Sequence, residues 1–122
     1  MYSLSALAAV AGVLPLAVAR AQSAAQAYPV KPIRWIVPSS AGGGSDVLAR
    51  IVGPRLTQAW GQQVVVDIRA GAGGIIGSEL TAKAPPDGYT IVIVAPGYAL
   101  NPFFYKSLPY DTVKDFERVT VL

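Results

Sequence analysis

"PSSAGGGSDVLAR", residues 38–50, is the stretch whose reading decides the fold class. It ends the β-branched apolar run "IRWIV" (33–37), places three consecutive glycines, and opens a helical pattern behind a serine and an aspartate. Glycines at such a junction reach positive φ and leave the backbone bare toward whatever lies above it. The succession recurs downstream: "QVVVDI" (63–68) leads into "AGAGGIIG" (70–77), and "YTIVIVA" (89–95) follows. These apolar runs are short and nearly uninterrupted, as strands covered on both faces require. Between them, Val47, Leu48, Ile51, Val52, Leu56 and Trp60 fall on one side of a 3.6-residue repeat, with Gly61 at the expected stop. A second helix is expected over "IIGSELTAKA" (75–84), ending before Pro85-Pro86.

Strands alternating with helices at intervals of roughly 25 to 30 residues give an α/β class with a parallel-type sheet and flanking helices. Pro54 removes a backbone donor inside the first helix, at about 3 kcal/mol if fully interior, so a kink near Gly53-Pro54 or a helix in two pieces is expected. The final stretch, "NPFFYKSLPYDTVKDFERVTVL" (101–122), predicts a short helix after Asn101-Pro102, a turn around Pro109 to Thr112, and a fourth strand opening at "RVTVL" (118–122).

Residues 4–19, "LSALAAVAGVLPLAVA", form an apolar run shorter than the roughly 20 residues of a membrane span and suited to a secretory signal. Cleavage is expected after Ala27, with Ala21 as the competing site, which makes 1–27 a signal peptide and 28–122 the exported part. Arg20 is the one charged side chain in residues 1–27, so the remainder holds nine basic and seven acidic residues, a mild excess. With no basic stripe interleaved with aromatics, nucleic acid is not an expected partner. The chain contains neither cysteine nor histidine. The common transition-metal sites and the Ser-His and Cys-His nucleophile systems therefore cannot be assembled from it, and no cofactor is expected.

Both glycine loops follow a strand and precede a helix, at the carboxyl edge of a parallel sheet where ligands bind. The first contains Ala41, Gly42, Gly43 and Gly44, and the second Gly71, Ala72, Gly73 and Gly74. Each aims backbone N–H groups and a positive helix end at one crevice, an arrangement that favours an anion. The dinucleotide spacing G-x-G-x-x-G fails in both loops, because Val47 and Ile76 stand where a third glycine is needed. Neither loop holds a lysine, so a carboxylate fits better than a phosphate. Plainer roles compete for the same residues. Ser45 or Asp46 can be the N-cap of the first helix. Gly71 to Gly77 can serve close packing of helix on sheet. Arg69 is either a carboxylate fork or a solvated charge. Tyr98 and Asn101 either donate to a ligand or form an aromatic core and a helix cap.

With "YPVKPI", "AGGGSD", "GAGGIIG", "PDGYT", "NPFFYKSLPYD" and "KDF" in order, residues 28–122 resemble the N-terminal third of the Bug family. These are periplasmic solute receptors of tripartite tricarboxylate transporters. The resemblance implies part of the first lobe of a type II periplasmic-binding-protein fold, whose two lobes close about a hinge on an organic acid and present it to membrane permease subunits. It implies that Ser39, Ser40, Ala41, Gly42, Gly43, Gly44, Ser45 and Asp46 line the cleft together with Gly71, Ala72, Gly73 and Gly74, with Tyr98 and Asn101 as further contacts. Ile68 and Ala70 depart from the family's usual Asn and Pro before the second loop. Members have roughly 300 residues, as two lobes require, so a fragment is expected.

Two other readings compete with the receptor. A small hydrolase would use Ser39, Ser40 or Ser45 as nucleophile and the glycine amides as oxyanion hole, but has no histidine or cysteine to activate the serine. A degenerate, truncated reading frame would leave apolar sheet and helix surface bare and aggregate.

Overall fold

The computed structural model describes residues 28–122, so the expected signal segment lies outside the described residues. Three strands, β1 (Ile33–Val37), β2 (Val64–Ile68) and β3 (Thr90–Val92), form one parallel sheet in the order β2-β1-β3. The helices are α1 (Gly44–Trp60), α2 (Ile75–Ala82), which a short 3-10 turn at Ala72–Gly74 precedes, and α3 (Gly97–Phe104). The chain moves from β1 to β2 in one direction across the sheet and from β2 to β3 in the other. With right-handed crossovers, that reversal places α1 and α2 on opposite faces. Accordingly α1 packs on β1 and β2, and α2 on β1 and β3.

The period-2 alternation of β1 divides its side chains between two layers. Ile33, Trp35 and Val37 bury themselves with Ala49 and Val64 on the α1 side, and Val52, Leu56, Val66 and Ile91 pack around them. Ile36 points the other way and is fully buried as well. Burying each of Ile33, Ile36 and Val37 contributes about 1.5–3 kcal/mol, which makes the central strand the anchor of the fold.

Four sequence expectations are corrected. The sheet-facing side of α1 is centred on Ala49 and Gly53, while Val47, Leu48 and Ile51 remain 42–57% exposed. The apolar periodicity was broader than the face one sheet can cover. Second, α1 runs through Gly53-Pro54 without a break. Pro54 lies on the exposed side, where water can satisfy the Arg50 carbonyl that the missing N–H leaves free. Third, α3 begins at Gly97 and contains Asn101 and Pro102, instead of following them, because packing of Tyr98 and Asn101 fixes it. Fourth, "RVTVL" pairs with no strand among the described residues, and Val119 and Val121 are almost fully exposed. Apolar alternation there finds no neighbouring edge to bond.

Two short sequence motifs far apart in the chain meet beside β3. The Tyr28 hydroxyl donates to the Gly88 carbonyl at 2.6 Å, the Val30 amide donates to the Tyr89 hydroxyl, and Lys31 pairs with Asp87 at 3.0 Å. The segment before β1 is thereby clasped to the turn that launches β3. Among the described residues, no helix is long and apolar enough to cross a membrane.

Candidate functional site

The switch point of this sheet lies between β1 and β3, and a cleft opens there at their carboxyl ends. Ser39 and Ser45 line it from the first loop and the first turn of α1, and Gly73 and Gly74 from the second loop. Tyr98 and Asn101 close it from α3. Both loops and the start of α3 thus converge on one crevice, as their positions after successive strands require. Ser40, Ala41, Gly42, Gly43, Gly44 and Asp46, with Gly71 and Ala72, shape the loops but lie outside the cleft wall.

The first loop is held by its own hydrogen bonds. Neither Ser45 nor Asp46 is the N-cap: Gly43 occupies that position, with no side-chain cap, and its carbonyl accepts from the Val47 amide. Asp46 sits in the first turn, 3% exposed, and its carboxylate accepts from the Gly42 amide and from Arg50 Nε, each at 2.7 Å. It therefore closes the glycine loop against the helix and takes one loop amide out of reach of a ligand. Ser39 behaves differently. Its Oγ is buried and has no hydrogen-bond partner among the described residues, at the base of the loop where α1 begins.

The second loop needs its glycines for both suggested reasons. Gly71, Gly73 and Gly74 adopt φ of 134°, 63° and 89°. Ala72 shares the left-handed region at 48°, a conformation that costs a non-glycine residue about 1 kcal/mol. Gly77, one turn into α2, packs directly on Pro38 and the Arg69 carbonyl. Arg69 itself is tied back to Asp67 at 2.9 Å, and Arg34 holds the same carboxylate. Burial opposes the charge on Asp67, but the hydrogen bonds from Arg34 and Arg69 outweigh it and hold the carboxyl below its ordinary value. Arg69 is thus half-exposed and engaged in an ion pair, not poised over the cleft.

Sequence reasoning missed the support behind α3. Tyr98 and Tyr110 stack with centroids 6.0 Å apart, and Phe116 meets both rings edge-on. The Tyr98 hydroxyl donates to the Thr112 carbonyl, and Asn101 Nδ2 donates to the Tyr110 hydroxyl at 3.3 Å. Asn101 is therefore a buried side-chain partner and not a cap. Residues 98, 110 and 116 share no helical or strand period, so no local signal could have grouped them. Burial, with Tyr110 and two aspartates nearby, pushes the Tyr98 hydroxyl up to about 12. An unfolded tyrosine ionises near pH 10, so this group's stabilisation is complete below about pH 10 and is lost as pH rises toward 12. Urea midpoints should fall more between pH 8 and 10.5 in the native chain than in Tyr98→Phe; equal falls would remove Tyr98 from the alkaline response.

Residues 48–122 match the family described as "Tripartite tricarboxylate transporter family receptor". The chain belongs to this family. A relative in Pseudomonas sp. (strain P51), a UPF0065 protein in the tcbD-tcbE intergenic region, is 50% identical over 95 residues, covering 78% of this chain and 28% of that protein. The solved structure of periplasmic binding protein BugD superposes with a TM-score of 0.70 at 39% identity, over 74% of this chain and 30% of BugD. MatC from Rhodopseudomonas palustris with bound malate gives a TM-score of 0.63 at 31% identity, over 73% and 31% of the two chains. This receptor-family chain thus spans about three tenths of the length of the proteins it matches. The family resemblance read from the motifs and the α/β architecture both hold. The family and its structural neighbours are solute-binding receptors, which leaves the serine-hydrolase alternative without support.

Proposed function

We propose that this chain supplies the first lobe's half of a periplasmic receptor for a small organic acid, exported through a signal peptide in residues 1–27 and serving a tripartite tricarboxylate transporter. The observation that carries the reading is the buried, unpartnered Ser39 hydroxyl in a cleft at the start of α1. A buried polar group without a partner costs about 1–3 kcal/mol, and a carboxylate oxygen placed there would recover it. The positive ends of α1 and α3 favour the same anion. Neighbours solved with malate and with adipate support a carboxylate.

In this reading Ser39, Ser45, Gly73 and Gly74 contact the ligand, while Ser40, Ala41, Gly42, Gly43, Gly44, Asp46, Gly71 and Ala72 hold the loops that present them. Permease subunits would recognise the loaded receptor after closure over the ligand, by differential affinity for open and closed states.

The cleft's volume of about 60 Å³ accommodates one carboxylate arm. Amide NMR of the 122-residue chain titrated with millimolar acetate should therefore show saturable shifts at Ser39, Ser45, Gly73 and Gly74. Ser39→Ala should weaken binding about fivefold, the loss of one net hydrogen bond. Calorimetry should find no micromolar affinity for citrate or succinate. Shifts scattered over the surface, or none, would overturn the carboxylate reading; micromolar binding would overturn the half-cleft account.

A further inference from the structure

A groove of about 320 Å³, bounded by Pro32, Ile33, Arg34, Val65, Val66 and Asp67, shares no residue with the cleft. Strand register assigns its floor. Arg34 lies beside Val65 and Ile36 beside Asp67, so these side chains share the face opposite Ile33, Trp35 and Val37. The other face of β2 is covered by α1, whereas on this one α2 packs over β1 and β3. β2 is left bare there, and Val65 is 44% exposed although it stands in the middle of an apolar run. Strands of a parallel sheet are ordinarily covered by helices on both faces.

Charge decides which helix fits. Arg34 Nε donates to Asp67 Oδ2 at 2.7 Å, and Arg69 Nε donates to Oδ1 at 2.9 Å. Among the described residues, no other carboxylate pairs with either arginine. Two half-exposed guanidiniums therefore share one anion at the border of an apolar floor, which leaves a positive charge over. One further carboxylate would neutralise it in the planar geometry that arginine favours, and a lysine would add a third cation. We propose that the bare face of β2 docks an amphipathic helix of a partner protein that carries a carboxylate at the border of its apolar stripe. The stripe covers Val65 and Pro32, and the carboxylate pairs with Arg69 and Arg34. A second copy of this chain offers no such helix. Its α1 keeps its one acid, Asp46, buried and presents Arg50 and Arg55 beside Val47, Leu48 and Ile51. Its α2 ties Glu79 to Lys83, and its α3 holds no acid. The docking surface stands apart from the carboxylate reading of the cleft.

The test is an amide NMR titration of the whole chain with two synthetic helices of about 18 residues, long enough to be helical. Both are built from alanine and glutamine with leucines at i, i+3, i+4 and i+7. One carries glutamate beside the stripe and the other carries lysine at the same position. The glutamate peptide should shift the amides of Arg34 and of residues 65–69 and bind about tenfold more tightly than the lysine peptide, since attraction in one replaces repulsion in the other. That ratio should shrink in about 0.5 M salt. Arg69→Gln, which removes the surplus charge, should bring the ratio toward one, and Val65→Lys should weaken both peptides. Equal binding of the two peptides by the native chain, shifts confined to other surfaces, or no binding overturns the proposal. Shifts of the same amides with rising chain concentration and no peptide assign the face to a second copy and overturn the partner helix. None of these outcomes touches the acetate titration of the cleft, which is read at different residues.

Discussion

Replacing Gly77 by alanine is expected to destabilise the chain by about 2–3 kcal/mol, the upper range for forcing atoms into a packed interface. A Cβ at this position would stand 2.6 Å from Pro38 Cβ and 3.0 Å from both Pro38 Cα and the Arg69 carbonyl oxygen. Two of these three neighbours are backbone atoms at the ends of β1 and β2, the most constrained part of the sheet. Neither can turn aside as a flexible side chain would. The helix α2 must lift instead, and Gly73 and Gly74, which immediately precede it, move with the cleft wall. The contrast is Gly44, where an added Cβ meets nothing within 4 Å. Gly44→Ala should change stability little or raise it slightly, because alanine favours the helix. Urea midpoints of the two variants decide the matter. A Gly77→Ala chain within about 0.5 kcal/mol of the native one would mean that α2 does not rest on Pro38.

Removal of the Asp46 carboxylate should have the next largest effect. This side chain is 4% exposed and serves two donors, the Gly42 amide across the loop and Arg50 one turn along α1. Hydrogen bonds to charged groups are worth about 1.5–3 kcal/mol each when sheltered, but Arg50 is 60% exposed and its share is small. Asp46→Ala is therefore expected to cost about 2–3 kcal/mol, and Asp46→Asn, which keeps one acceptor for Gly42, about half as much. The two variants also separate loop closure from ligand contact. If Asp46 only closes the loop, Asp46→Asn lowers thermal stability without weakening acetate binding, since it removes a negative charge beside an anion subsite. A loss of acetate affinity larger than that of Ser39→Ala would mean that the loop needs the Asp46 charge to present its ligand-facing groups.

These expectations depend on features that differ in how far a sequence shows them. Uninterrupted β-branched runs and glycine loops at strand ends are local signals, and they located β1 to within a residue, the α/β class and the two loops. Six spaced motifs in order carried the family. The end of α1 at Gly61 was legible for the same reason: Gly61 adopts φ of 65°, which glycine tolerates without strain.

Other features depend on what a segment meets. Whether Val47, Leu48 and Ile51 are buried depends on which part of α1 the sheet covers. The identity of the N-cap depended on Asp46 finding the Gly42 amide and Arg50, partners that its chemistry alone does not choose. Pro102 lies inside α3 because Asn101 and Tyr98 are held by Tyr110, Phe116 and Thr112, which sequence spacing cannot place beside them. "RVTVL" alternates as a strand should, yet a strand exists only where a neighbouring edge accepts its hydrogen bonds. By itself the sequence determined the class, the loops and the family, because these follow from backbone preferences and short motifs. Only the tertiary structure decided which loop atoms face the cleft, which remain unpaired in it, and which aromatic rings hold Asn101 in place. Those are distances between groups far apart in the chain, and no local pattern encodes them.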